Sequence, residues 1–218
     1  MRRFLSLLFF HCLLVISGAA QASWWMYGGA DYNQTEIQQV PANTQAQAVP
    51  LFGAMYSPAQ GLGWEKPLKD WLHFRTDLGY AQTGNTNSPF FQREEFHYVQ
   101  LAPSVFIHPV NAPAWMQRFW IGGGPYAQIL LGQHNILLGR TGDPSDSPPI
   151  VWGLAARARY AFTERLFVSV SYQIGMNPYY WQEQFGGALR VNYMNRSAGL
   201  ALHYRLVAFT PRTPKDKD

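Results

Sequence analysis

Most of the mature sequence predicts an all-β fold. Apolar and polar residues alternate with a period of two through it, and the helical period of 3.6 is almost absent. Several alternating segments run for about ten residues, longer than the five or six residues usual for strands. Aromatic residues make up 16% of the chain, and many lie near the ends of these segments. Together these features predict an eight-stranded antiparallel up-and-down transmembrane β-barrel.

The first 22 residues are expected to be a signal peptide. Arg2 and Arg3 form a short basic start, residues 4–16 are apolar, and an Ala-Gln-Ala cleavage pattern follows. Cleavage would remove two basic residues and the single cysteine, Cys12, leaving 17 − 2 = 15 basic against 13 acidic residues. The mature domain would then have no disulfide, and its small charge gives no reason to expect a nucleic-acid partner.

Eight segments carry the alternating strand pattern. The first places Asp31 and Asn33 on one face and Ala30 and Tyr32 on the other, whereas the second segment is the weakest of the eight. The other six alternate through most of their length. The predicted strands are Trp24–Glu36, Val49–Ser57, Trp71–Gly84, Phe96–His108, Phe119–Gly132, Val151–Phe162, Leu166–Met176 and Ser197–Leu206.

The later strands show the same two faces in order. The third reads WLHFRTDLGYAQTG, and the fourth and fifth carry glutamines on their polar faces. The sixth, VWGLAARARYAF, and the seventh, LFVSVSYQIGM, alternate large apolar residues with small or polar ones. The last, SAGLALHYRL, places Leu200 and Leu202 opposite His203 and Arg205. Each is therefore expected to have one apolar face and one polar face.

The connections predict a meander with shorter turns at one end and long loops at the other. In outer-membrane barrels the turns are periplasmic and the loops extracellular. We expect one barrel domain over residues 23–209 and a polar tail over residues 210–218. The predicted turns are Pro58–Asp70, Pro109–Arg118 and Thr163–Arg165, and the predicted loops are Ile37–Ala48, Asn85–Glu95, Gln133–Pro149 and Asn177–Arg196.

The composition of the two faces predicts which one points outward. The polar faces mix Arg, Asp, His and Gln with many Gly and Ala residues, as in the interior of a narrow closed barrel, and they contain few Lys or Glu. The apolar faces are therefore expected to contact lipid. The alternative is a soluble secreted barrel of the lipocalin kind, with an apolar interior. Aromatic girdles near the strand ends are predicted from Trp24, Trp25, Trp71, Trp120, Trp152, Tyr160, Phe162, Tyr179, Tyr180 and Trp181.

The strand motifs resemble those of the outer-membrane protein β-barrel domain family that includes PorT-like proteins. The motifs are FRTDLGYAQTG, YVQLAPSVFIHP, IGGGPYAQILLG, GLAARARYAFTERLFVSVSYQIGMNP and SAGLALHYRL. The resemblance covers most of the mature chain. It implies a small porin-like barrel in the outer membrane of a Gram-negative bacterium, and it implies no shared reaction or substrate.

The last strand also resembles the assembly signal of outer-membrane proteins. That signal has the order polar, any, Gly, any, any, apolar, any, apolar, which Ser197, Gly199, Leu202 and Tyr204 follow. It usually ends the chain, whereas further residues follow here, and Phe209 is an alternative terminal aromatic. The resemblance implies barrel-assembly machinery as a partner during insertion.

Charged and imidazole side chains are expected to fill the interior. An eight-stranded barrel is just wide enough for its own side chains, so they should form a charge-paired plug in which Asp31 helps to neutralise the arginines. A narrow anion-preferring pore is the alternative, because rings of arginines select anions. The interior polar network is predicted from His73, Arg75, Asp77, Arg157, Arg159, His203 and Arg205, with His108 also facing inward.

Catalysis finds little support in the sequence. A lipid-modifying enzyme would need a serine and a histidine within hydrogen-bonding reach, and His134, Ser145 and Ser147 merely share a loop. No histidine spacing indicates a metal site, so we predict no catalytic, cofactor-binding or metal residues and no cofactor. The expected role is structural or interaction-based. The expected partners are outer-membrane lipid and a surface or periplasmic protein, with a lipid-modifying enzyme as a further alternative.

Overall fold

The computed structural model describes residues 22–40, 52–53, 55–87, 92–135, 148–178, 180–184 and 189–208. The predicted signal peptide, apart from its last residue, and the predicted tail lie outside these residues, as does Phe209. The described residues form β1 (Ser23–Val40), β2 (Phe52–Gly53), β3 (Met55–Lys69), β4 (Leu72–Asn87), β5 (Gln92–Ile107), α1 (Ala114–Gln117), β6 (Phe119–Asn135), β7 (Ile150–Ala161), β8 (Leu166–Gly175), β9 (Tyr180–Gln184) and β10 (Leu189–Ala208).

Eight of these strands form a closed antiparallel barrel. The order is β1-β3-β4-β5-β6-β7-β8-β10, and β10 pairs with β1 from Ser23↔Ala208 to Val40↔Arg190. The two shorter strands add to this wall, β2 on the edge of β4 and β9 on the upper part of β10. The predicted eight-stranded up-and-down barrel is therefore confirmed. We call the end with the short turns and with Ser23 and Ala208 the lower end, and the opposite end the upper end.

The predicted second strand, Val49–Ser57, was wrong in its extent: Phe52–Gly53 form β2 and Met55–Ser57 begin β3, while residues 49–51 and 54 lie outside the described residues. The strand is Met55–Lys69, so most of the segment predicted as the turn Pro58–Asp70 is extended, and the β3–β4 turn is only Asp70-Trp71. Two prolines and two glycines hid its alternation, because these residues are depleted in strands. The predicted loop Asn177–Arg196 likewise contains β9 and its hairpin partner in β10.

The exterior of the barrel is apolar around its circumference. Leu202 is 52% exposed, and comparable side chains project outward from every barrel strand. In SAGLALHYRL the four apolar residues are exposed while His203 is buried, so the strand has the orientation that its composition predicts. Among the described residues, no helix has the length and apolar character needed to cross a membrane.

Two tryptophans predicted for the exterior girdle face inward instead. Trp25 is 4% exposed and stacks edge-on against Phe167, and Trp120 lies between His73 and His108, with ring centroids 4.2 and 3.9 Å away. These rings, together with Phe106, close the lower end of the interior. Trp24, Trp71, Trp152 and Phe162 are exposed as expected, whereas the side chains of Tyr179, Tyr180 and Trp181 lie outside the described residues.

Candidate functional site

Glycines create the space for the charged interior. A Cβ atom on Gly63 would lie 2.5 Å from Asp77 Oδ1 and would overlap the Arg75 guanidinium. Gly61 and Gly79 leave room in the same way for the hydroxyl of Tyr27, and Gly199 leaves room for the carboxylate of Asp31. An interior this narrow admits large charged side chains only where the facing strand has none.

Glu65 is the centre of the charge network. Its carboxylate accepts two hydrogen bonds from Arg159, Nη1 at 2.7 Å and Nη2 at 2.8 Å, in the bidentate geometry that makes arginine–carboxylate pairs strong. It also accepts from His73 Nδ1 at 2.6 Å and from Arg75 Nη1 at 3.4 Å. Because Glu65 is 4% exposed, these partners offset the cost of burying its charge.

Asp77 joins the network from the neighbouring strand. Its Oδ1 accepts from Arg75 Nε at 2.7 Å, and its Oδ2 accepts from Arg157 Nη1 at 2.6 Å. Asp77 and Arg75 are both buried, and the side chain of Arg157 is 10% exposed. Together with Asp31 and Glu65, this carboxylate balances the formal charges of the three arginines.

Aromatic rings support the arginines from below. The Arg159 guanidinium carbon lies 4.4 Å from the ring centroid of Phe106 and 4.6 Å from that of Trp120. The guanidinium of Arg75 lies 5.2 Å from the Phe167 ring. Such cation–π contacts strengthen when water is excluded, and Arg75 and Arg159 are 1% and 5% exposed.

The structure brings together six of the seven residues predicted for the interior polar network. Arg75, Asp77, Arg157 and Arg159 are linked by ion pairs, while His73 is joined through Glu65 and His203 through Arg75. Arg205 lies apart at the lower end, its guanidinium carbon 4.6 Å from the Trp25 ring centroid. His108 also lies at that end, against Trp120.

Sequence reasoning missed Glu65. The residue fell in the segment predicted as a turn, although Gly61, Gly63 and Glu65 alternate with Leu62 and Trp64 in the same way as in the other strands. Following that alternation through the glycines would have placed Glu65 inside the barrel. It is the carboxylate with the most partners in the described network.

Ser169 and His203 lie in hydrogen-bonding contact but in the wrong proton arrangement for a nucleophile and its base. Arg75 Nη2 lies 3.0 Å from His203 Nδ1, and because arginine only donates, Nδ1 must accept. The ring proton is then on Nε2, which donates to Ser169 Oγ at 2.7 Å. A general base would instead accept the serine proton and have a carboxylate behind it.

A cavity of about 60 Å³ lies beside the network. Its walls combine polar side chains, among them Tyr27, Asp31 and Gln100, with the apolar Phe106 and Phe167. The volume is sufficient for a few water molecules. No group of three or more potential metal ligands occurs among the described residues.

The predicted assembly-signal residues lie on both faces of β10. Ser197 is buried and Gly199 faces the interior beside Asp31, whereas Leu202 and Tyr204 are exposed on the outer face. β10 continues four residues beyond Tyr204, to Ala208. The signal itself stays a prediction.

No family model matches the chain, and neither does any curated protein. Its structure is similar to that of the surface protein NspA from Neisseria, with 11% sequence identity over 85% of this chain and 99% of the other and a TM-score of 0.48. It is also similar to Ail of Yersinia pestis, solved with the heparin analogue sucrose octasulfate (10% identity, 84% and 99% coverage, TM-score 0.41). A third similar structure is outer membrane protein W of E. coli (13% identity, 85% and 98% coverage, TM-score 0.43). These likenesses are too distant to bear on function, and the barrel is established by its own strand pairing.

Proposed function

We propose that the chain is a small outer-membrane β-barrel, sealed by its interior charge network, with a structural or surface-interaction role. The observation that carries this proposal is the combination of a closed wall, an apolar exterior and a charged interior. In water, such a surface would be an exposed apolar patch far larger than monomeric soluble proteins tolerate. In lipid, closure is required because no strand edge can be left unpaired.

The orientation follows from the connections. The lower end carries connections of 2, 11 and 4 residues between barrel strands, whereas three of the four upper connections have 13 or 14 residues. We therefore assign the lower end to the periplasm and the upper connections to the cell surface. The PorT-like resemblance, the signal peptide, the Gram-negative source and the assembly machinery belong to the same proposal. Loops displayed at the surface would offer the contact with a protein partner.

The ion pairs favour a sealed barrel over an anion-preferring pore. A pore that selects anions needs guanidinium groups free to meet the ion. Here Arg75, Arg157 and Arg159 each donate to a carboxylate at 2.7 Å or less, and aromatic rings close the space beneath them. Passage of an ion would require these pairs to separate inside a low-dielectric wall.

Two measurements on one purified sample test this proposal. Folded protein extracted from membranes should migrate faster on a gel unboiled than boiled, because the closed barrel resists detergent. The same sample in planar lipid bilayers should give no current steps. Co-migration of the boiled and unboiled samples would contradict the barrel in the membrane, and regular current steps would replace the sealed barrel with a pore.

The proposal also assigns no lipid-modifying activity to the barrel. The support is the contact between Ser169 and His203, which lies inside the barrel. The ring proton of His203 is on Nε2, the nitrogen that would have to be unprotonated to accept the serine proton. Deleting the gene should therefore leave lipid A and the phospholipid profile unchanged in mass spectra. A lipid species that accumulates on deletion and disappears on complementation would contradict this assignment.

A further inference from the structure

The backbone ladder between β3 and β4 is interrupted in its upper part, although the wall stays closed. Ladder pairing of these strands runs upward to Gln60↔Tyr80 and stops, and pairing resumes only where β2 meets β4 at Gly53↔Thr86. Within the described residues, no ladder pair joins residues 55–59 to residues 81–85. We call these two facing segments the β3–β4 seam.

Pro58 explains why the ladder stops at this height. Continuing the register from Gln60↔Tyr80 places Pro58 opposite Gln82. Proline has no N–H to donate, so the Gln82 carbonyl cannot be paired from the β3 backbone. From Gly53 to Gln60 is 7 residues and from Tyr80 to Thr86 is 6, so the register also slips by one residue across the seam.

A second proline site in the wall provides a comparison. Pro103 and Pro125 fall opposite each other in the β5–β6 register, and pairing is interrupted there as well. However, the pairs Leu101↔Ala127 and Val105↔Gly123 on either side share one register. Those strands therefore stay aligned, whereas at the seam a proline coincides with a slip, as it also does at Pro67 beside the lower β3–β4 turn.

Side chains replace the missing donor at the seam. Ser57 Oγ donates to the Gln82 carbonyl at 2.8 Å, and Asn33 Nδ2 donates to the same oxygen at 3.2 Å. Next to them, the Thr83 hydroxyl has no hydrogen-bond partner among the described residues, although Thr83 is only 1% exposed. A buried hydroxyl left unpaired costs free energy, which a ligand with a hydrogen-bonding group would recover.

The two sides of the seam differ in polarity. On the outside, Tyr56 is 74% exposed, its ring lies 5.3 Å from that of Tyr32, and Pro58 is exposed beside it. On the inside, Ser57 and Thr83 are buried, and Ala59 and Ala81 line the cavity beside the charge network. Apolar surface outside and uncharged hydrogen-bonding groups within match the two halves of an amphiphile.

We propose that the β3–β4 seam is a membrane-side binding site for a single-chain amphiphile with an uncharged, hydroxyl-bearing head, drawn from the surrounding leaflet. The head hydrogen-bonds to Thr83 and Ser57, and the chain lies on the outer face along Tyr56 and Pro58. An uncharged head is specified because the side chains at the seam are all neutral, so a full charge would be desolvated there without a counter-ion. The inference rests on the proposed function, since it requires lipid outside the barrel.

Photo-crosslinking in phosphatidylcholine nanodiscs tests the proposal. The probe is a monoacylglycerol with a diazirine at the head-proximal end of its chain, and adducts are mapped by mass spectrometry. We expect adducts concentrated on residues 55–62 and 80–85. Pro58→Val restores the N–H that pairs with Gln82, so it should lower this labelling about fivefold or more, whereas the matched Pro103→Val should leave it unchanged.

Further variants keep the test decisive. If Pro58→Val does not fold, Thr83→Val removes the free hydroxyl at nearly constant volume and should lower the labelling by a similar factor. Labelling spread evenly around the barrel, labelling unaffected by both variants, or equal labelling by the matched anionic fatty acid would overturn the proposal. Failure of the wild-type protein to enter nanodiscs would instead count against the proposed function.

Discussion

Replacing Glu65 by alanine is expected to lower the free energy of unfolding by about 3–5 kcal/mol, the usual cost of leaving a buried charge without its partner. Arg159 would lose both hydrogen bonds to this carboxylate, and Arg75 and His73 would each lose one. Urea titration of the barrel in lipid vesicles, followed by tryptophan fluorescence, measures the difference.

The Glu36–Arg196 pair provides the control for Glu65. Its two charged atoms are 2.5 Å apart, but the side chains are 40% and 46% exposed. Exposed ion pairs contribute about 0–1 kcal/mol, so Glu36→Gln should change stability little. A Glu65→Ala loss no larger than that of Glu36→Gln would mean that the interior is wet and the network does not seal it.

A double variant separates lost pairing from lost packing. Replacing both Glu65 and Arg159 with methionine removes the pair without leaving its partner charge behind. We expect this variant to recover much of the stability lost by Glu65→Ala, because a well-packed apolar pair often replaces a buried ion pair at little cost. If the double variant recovers no stability, the packing of the side chains at these two positions, and not their charge pairing, determines the stability.

Replacing Leu202 by arginine is expected to destabilise the barrel by about 2–4 kcal/mol, the cost of arginine on the lipid face near the bilayer midplane. Leu202 projects outward, and its partner Gly28 lies midway along β1 between the exposed rings of Trp24 and Tyr32. The same urea titration in vesicles measures the effect.

A substitution at a different depth in the membrane provides the control for Leu202→Arg. Gln34→Arg introduces the same side chain on the outer face nearer the upper end, where Gln34 pairs with Arg196. There the cost of depth should be about 0–1 kcal/mol. Repulsion from the facing Arg196 adds to it, so a cost below that of Leu202→Arg is evidence for the depth effect. If both substitutions cost less than about 0.5 kcal/mol, as at an ordinary water-facing surface, the membrane assignment fails.

The sequence could predict which residues of each strand face the interior and which face outward, because side chains alternate between the two faces with a period of two. In β10, His203 and Arg205 follow the parity of Gly199, and the leucines follow the opposite parity. The same rule could have corrected the list of residues predicted for the aromatic girdle. Trp24 and Trp25 are adjacent, so only one can face outward, and the polar Asp31 fixes Trp25 as the inward one.

The extent of β3 is harder to recognise from the sequence, and the pairing within the network could not be predicted from it. In β3, prolines and glycines shape the wall and leave room for the interior side chains. They also replace the alternating apolar and polar residues by which a strand is recognised in a sequence. Glu65 and Arg159 are 94 residues apart in sequence. Whether they meet depends on the tilt and stagger of the barrel, which no local pattern records.

The position of that pair around the barrel has a mechanical consequence. β3 and β7 are separated by three strands in each direction around the closed sheet, so the Glu65–Arg159 contact crosses the full diameter. Opposing walls reach each other only after the sheet has curved into a ring, so this contact reports closure and belongs among the late events of folding. Once formed, it holds the cross-section round, because flattening the ring along either axis would stretch or compress a bidentate bond.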